Sequence, residues 1–233
     1  MSRSVVLAGA ARCPRCCLPP RWCVCDAIPP VATGMPVHVL LHRHEQYKPS
    51  STGRLIARAV EGAACHLFER GNRFFESASL SPAALLPDRD VWILHPQGEP
   101  VPAASLAGHA MPQVVLLDGT WREAGEMQRA VEGLGRCVRL PEPGPSRYWL
   151  RDQKAPTHVS TAEALLEVFR VVGDAAAERC FRLHFELHVY ATLLSRGRRD
   201  VADRYLATSP LREALPEFVK RLTTPRSLPR SGE

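Results

Sequence analysis

Three short apolar runs dominate the pattern of this chain: VHVLL at 37–41, VWILH at 91–95 and QVVLL at 113–117. A fourth, RCVRL at 136–140, is weaker. None alternates polar with apolar residues, as a strand wetted on one face would. Continuous runs belong to strands covered on both faces, and such strands are typical of parallel sheets. The stretches between and after them read as helices: one entered through Ser51 and Thr52, one from the third run to about Val131, then about 161–172, 176–195 and 209–222. The pattern predicts an α/β domain with a largely parallel sheet and helices on both faces. Ligands of such sheets bind beyond the carboxyl ends of the strands. Weight therefore falls on the loops after Leu41, Leu94 and Leu117.

The chain of 233 residues suits one large domain or one domain with small attachments. No apolar run approaches the roughly 20 residues a membrane span needs, so no membrane partner is expected. The apolar stretch Val5 to Ala11 is short for a secretion signal and runs into Arg12 and cysteines, which favours a cytoplasmic protein. Residues 1 to 60 hold eight Arg or Lys against two Asp or Glu, while the rest carries 22 of each sign. The whole formal excess of +6 therefore sits at the N-terminal end. A polyanion, nucleic acid first among them, is the natural partner of such a patch.

Five of the eight cysteines fall within CPRCCLPPRWCVC, residues 13 to 25. Cys13-x-x-Cys16 and Cys23-x-Cys25 form two close pairs, the arrangement that brings four thiolates around structural zinc. Cys17 is an alternative to Cys16. A disulfide pair fits poorly with a cytoplasmic chain, and a redox motif would not need the second pair. Cys65, Cys137 and Cys180 are isolated and expected to pack as small apolar residues. Pro29-Pro30 and Gly34 mark a linker, so residues 1–33 form a zinc-binding segment, 34–222 the main domain and 223–233 a disordered tail.

Chemistry concentrates after the third run, in LLDGTWREA. Asp118-Gly119 here precedes a helix, not a second strand, so a hairpin turn explains it poorly. Gly119 lets the backbone turn and approach a ligand. Thr120-x-x-Glu123 fits a helix-capping box, as does Ser160-x-x-Glu163. Trp121 would face the loop region, and Asp118 is placed to accept a proton or orient a ligand. His42, Arg43, His44, Lys48 and Arg54 cluster around a helix N-terminus that suits a phosphate. The paired histidines invite a metal reading but bring no third ligand at fixed spacing. Residues 141–158 are a Pro-rich loop with basic and aromatic residues, and loops of that length tend to be functional.

Taken in order, CPRC…CVC, LHRHEQYKPSSTGRL, ILHPQGEP, LLDGTWREAGEM and SRYWLRDQKAPTHVSTAEALLEV resemble the DTW-domain family, whose signature is D-x-T-W. The resemblance covers most of the chain. It implies a tRNA-uridine aminocarboxypropyltransferase with a SPOUT-like fold that includes a C-terminal trefoil knot. Implied with it are S-adenosylmethionine as co-substrate, zinc, tRNA as partner, and a monomer or homodimer. On this reading Asp118 takes the proton of uridine N3 or orients the group that does, beside Thr120 and Trp121. Backbone at Leu94, His95 and Pro96, at Leu117 and Gly119, and around Ser160 and Thr161 would hold adenosine and ribose. Arg43, Lys48 and Arg54 would meet tRNA phosphates. The rivals are an S-adenosylmethionine-dependent RNA methyltransferase on the same fold and a non-catalytic zinc-containing RNA-binding protein.

Overall fold

A computed structural model of the chain describes residues 11–69, 80–101, 111–141, 144–151 and 159–224. Five strands form one sheet: β1 (Val37–His42), β2 (Ala64–Phe68), β3 (Val91–Pro100), β4 (Gln113–Asp118) and β5 (Arg136–Arg139). Their order is β2-β1-β4-β3-β5, and every pairing is parallel. Among the described residues seven α-helices accompany them: α1 (Thr52–Ala59), α2 (Trp121–Ala130), α3 (Thr161–Val171), α4 (Ala175–Ser195), α5 (Arg199–Ala207), α6 (Leu211–Ala214) and α7 (Pro216–Thr223). The expected α/β class and parallel sheet are present.

Side-chain alternation along the strands divides the apolar residues between two faces. Val37, Val39 and Leu41 of β1, Trp92 and Leu94 of β3, and Val114 and Leu116 of β4 share a large core with α1, α3, α4 and α5. Leu40, Ile93 and Val115 point the other way, into a smaller core with Met127 of α2, Val131 and Leu80. The same alternation sends Asp118 to the large face and His38 and His42 to the α2 face. Cys16, Leu18, Val24, Ile28 and Val31 join the large core, so the cysteine segment packs onto the main body.

Several details differ from the reading of the sequence. The edge strand β2, ACHLF, went unread because it is short, half-buried and interrupted by His66. Strand β3 does not stop at Pro96; its register against β5 shifts between Leu94 and Glu99, and that irregularity absorbs a residue with no N–H to donate. The last expected helix is two, because Pro216 opens α7 at a position that needs no donor. Cys65 is not packed like an apolar residue but exposed on the edge strand. The tail beyond Thr224 lies outside the described residues, as do 142–143 and 152–158 of the Pro-rich loop.

Candidate functional site

The carboxyl ends of β1 and β4 lie side by side, with Leu41 paired to Asp118. The N-termini of α1 and α3 converge on the same point. Asp118, 5% exposed, accepts hydrogen bonds from Ser51 Oγ at 2.9 Å, Thr161 Oγ1 at 2.6 Å and Thr52 Oγ1 at 3.5 Å. Burial pushes its pKa up, against the lowering pull of the Thr161 and Ser51 hydroxyls and the Gly53 N–H. A Cβ at Gly53 would sit 2.7 Å from Asp118 Cβ, Cγ and Oδ2, so the helix can approach the carboxylate this closely only with glycine there. The aspartate expected to take a proton or orient a ligand also clamps two helix starts to the tip of the sheet.

Next to it opens a cavity of about 350 Å³. Leu94, His95, Pro96, Leu117, Gly119, Ser160 and Thr161, the seven residues expected around a cofactor, all line it, and Trp121 lines it too. Asp118 and Thr120 do not. Trp121 is 47% exposed, with part of its ring surface left to solvent. Burial lowers the pKa of His95, so its imidazole is neutral near pH 7. Sequence reasoning missed the wall formed by Val138, Arg139, Leu140 and Pro141 at the end of β5. The signal was available: the weak run RCVRL at 136–140 is ended by Pro141, and parallel strands present their carboxyl ends to ligands.

Both predicted capping boxes are formed. Thr120 Oγ1 accepts from Glu123 N at 3.4 Å, and Glu123 Oε2 accepts from Thr120 N at 2.7 Å. Ser160 and Glu163 repeat the arrangement at 3.3 and 2.8 Å. Thr120 is therefore a cap that sets the direction of α2 and of Trp121. Gly119 does not need a left-handed backbone; a Cβ there would come within 3.0 Å of Glu123 Cβ and Met127 Cε. Close packing of the turn on α2, not the turn itself, favours glycine here. Glu163 also receives Arg147 N at 2.6 Å and Ser146 Oγ at 2.9 Å. Arg147 in turn forms a forked pair with Glu186 at 3.0 and 2.7 Å, which ties the wall of the cavity to α4.

On the α2 face, His42 Nδ1 and His44 Nδ1 lie 3.1 and 3.0 Å from one oxygen, Glu123 Oε1. These three groups can hold a metal ion. The three residues expected to bind RNA have partners within the chain. Arg43 pairs with Glu69, Lys48 with Glu45 at 2.6 Å, and Arg54 with the carbonyls of Gln46 and Pro14. Arg54 also joins Arg15, Gln46 and Arg58 around a second cavity of about 600 Å³.

In the cysteine segment, Cys13 Sγ and Cys25 Sγ are 3.6 Å apart, Cys16 Sγ and Cys23 Sγ 3.8 Å, and all four sulfurs lie within 4.8 Å of one another. A disulfide would need about 2.05 Å. Four thiolates at the usual 2.3 Å from a tetrahedral ion would stand about 3.8 Å apart, so the spacing fits a metal. Cys16 belongs to the cluster. Cys17 does not; its φ of 58° carries it away. Burial raises the pKa of Cys25, against the lowering influence of Arg58, whose buried Nη2 has no hydrogen-bond partner among the described residues. A guanidinium beside a four-thiolate cluster supplies the counter-charge that bound metal would leave in need.

An all-parallel sheet with a cavity at its carboxyl edge and a cluster of four cysteines that could hold a metal ion, packed on its core, defines the class: an α/β protein with a cysteine-rich appendage. Within that class the chain belongs to the DTW domain family, whose model matches residues 10–195. It is 27% identical over 158 residues to mouse (Mus musculus) tRNA-uridine aminocarboxypropyltransferase 2, covering 65% of this chain and 53% of that protein. The chain thus spans about half the length of this curated relative. No solved structure matches it.

Proposed function

We propose that this protein is a tRNA-uridine aminocarboxypropyltransferase that uses S-adenosylmethionine and acts on uridine N3, with a SPOUT-like fold, a C-terminal trefoil knot and structural zinc on Cys13, Cys16, Cys23 and Cys25. Membership of the DTW domain family and the printed activity of the mouse relative support this reading. The observation that carries it is the cavity at the carboxyl edge of the sheet, whose lining matches the family's motif segments. The co-substrate would supply a sulfonium whose amino-acid arm forms a bond to N3 as its carbon–sulfur bond breaks, releasing methylthioadenosine. Backbone and side chains of Leu94 to Pro96, Leu117, Gly119, Ser160 and Thr161 would hold it. Trp121 offers a ring face to a cation, worth about 0.5–2 kcal/mol. Asp118 would take the N3 proton or orient the group that takes it, and by fixing the starts of α1 and α3 it lets Thr161 and the turn at Gly119 meet the ligand in one geometry. Residues 1–33, 34–222 and 223–233 serve as zinc segment, catalytic domain and tail.

Arg43 and Lys48, with side chains 55% and 44% exposed, would exchange their ion pairs for tRNA phosphates. The largely exposed Arg43–Glu69 pair is worth at most about 1 kcal/mol, whereas Glu45 is buried and would keep Arg151 at 2.8 Å when Lys48 leaves it. Arg54 would act with Arg15 and Arg58 at the second cavity. The deciding experiment is mass spectrometry of tRNA nucleosides after incubation with the protein and S-adenosylmethionine. An added aminocarboxypropyl group on uridine, with methylthioadenosine released, is expected. A methyl group with S-adenosylhomocysteine would overturn the reading in favour of a methyltransferase; binding without turnover would leave an RNA-binding protein.

A further inference from the structure

The α2 face of the strand tips carries a second donor set, separate from the four cysteines. His42 ends β1 on the side opposite the large core, His44 follows it, and Glu123 stands in the first turn of α2. Sequence spacing hid the third member, because Glu123 lies 79 residues from His44. Both Nδ1 atoms approach the same carboxylate oxygen, and the ligand atoms of all three residues lie within 4.8 Å. Glu123 Oε2 is already held by Thr120 N, which fixes the carboxylate plane and leaves Oε1 aimed at the imidazoles. Such outer hydrogen bonds are what orient ligands in built metal sites.

We infer that His42, His44 and Glu123 bind a late first-row divalent cation, Zn²⁺ or a close relative such as Co²⁺, in a three-ligand site with an open coordination position. Two imidazoles and one carboxylate select such ions over Mg²⁺ and Ca²⁺, which prefer oxygen. Bonds of about 2.0–2.2 Å place tetrahedral ligands roughly 3.3–3.5 Å apart. The present separations of 3.0 and 3.1 Å need widening by only a few tenths of an ångström. His42 and Glu123 are 7% and 8% exposed at their side chains, whereas His44 is 66% exposed and free to adjust. The exposed side leaves room for water or a phosphate oxygen as the fourth ligand. Glu123 sits between Thr120 and the cavity-lining Ala124, and Gly119 packs against it, so the site borders the strand-tip cavity. This inference does not rest on the proposed reaction.

The test uses the full chain without a histidine tag, stripped of weakly held metal and titrated with Zn²⁺ or Co²⁺. Wild type is expected to take two ions per chain and His44→Ala one, with the affinity for the second ion reduced more than about 100-fold. Co²⁺ in the four-thiolate cluster gives intense sulfur charge-transfer absorption. The second equivalent should add only weak visible bands, and His44→Ala should lose those bands alone. Because His44 is exposed, the variant should melt like wild type before metal is added. Equal stoichiometry and identical Co²⁺ spectra in the two proteins would overturn the site, as would a second-ion signal equally produced by Mg²⁺.

Discussion

Asp118 and Glu123 are both buried carboxylates, at 5% and 6% exposure, on opposite faces of one strand-to-helix turn. Their surroundings drive them apart. Asp118 is met mainly by hydroxyls, and burial leaves its pKa raised. Burial would raise Glu123 as well, but the N–H and hydroxyl of Thr120 and the imidazoles of His44 and His42 bring it down to about 2. Hydroxyls satisfy a carboxylate without stabilising its charge as strongly as cationic or backbone N–H donors do. One turn therefore offers a clamp whose pKa burial raises on the large-core face and a firmly anionic group on the other. The first suits holding elements together; the second suits holding a cation.

The contrast can be broken most forcefully at the clamp. Asp118→Ala orphans the hydroxyls of Ser51, Thr52 and Thr161 in a buried place, each at about 1–3 kcal/mol. A loss of at least about 3 kcal/mol in urea denaturation is expected; a loss below 1 kcal/mol would mean the clamp is not structural. Gly53→Ala comes next. Alanine should favour a helix by about 1 kcal/mol, but its Cβ would meet Asp118 at 2.7 Å. A net loss of about 2 kcal/mol is expected from the overpacking, and a gain would show that the contact yields freely.

A third buried group, the His188 imidazole, sharpens the comparison from the other side. Neither ring nitrogen of His188 has a hydrogen-bond partner among the described residues, and burial, with Arg58 and Arg196 nearby, lowers its pKa from 6.5 to about 3. The unfolded chain binds this proton first. Its contribution to stability is therefore full above pH 6.5 and is lost as pH falls toward 3, by at most about 1.4 kcal/mol per pH unit. His188→Leu should flatten that part of a stability-against-pH curve. The smallest effects belong to the caps: Thr120→Ala and Ser160→Ala should each cost about 1 kcal/mol in thermal or chemical denaturation. Equal losses would show that the two boxes differ only in what surrounds them.

Much of this was legible in the chain. Continuous apolar runs announced parallel strands, and both capping boxes follow from Ser or Thr with Glu three residues on. The spacing of Cys13, Cys16, Cys23 and Cys25 announced their cluster. What stayed hidden depends on distance in space. Asp118 looks exposed at a strand tip until α1 and α3 close over it. Glu123 reads as a cap until His42 and His44 arrive from β1. The edge strand β2 was missed because half-burial does not require an apolar run, and the division of the last helix because one proline was read through.

Arg21 donates to the carbonyl of Thr224 at 2.6 Å, across 203 residues of sequence. The cysteine segment also lends Leu18 and Val24 to a core completed by Leu211, Val219 and Leu222 of the last helices. On the ribosome, those first-made residues must wait for nearly the whole domain before their partners emerge. At the usual 5–20 residues per second that interval is roughly 10–40 s. Metal capture by the thiols during it would give the waiting segment a shape of its own, so zinc supply would be felt during synthesis, before the finished protein exists.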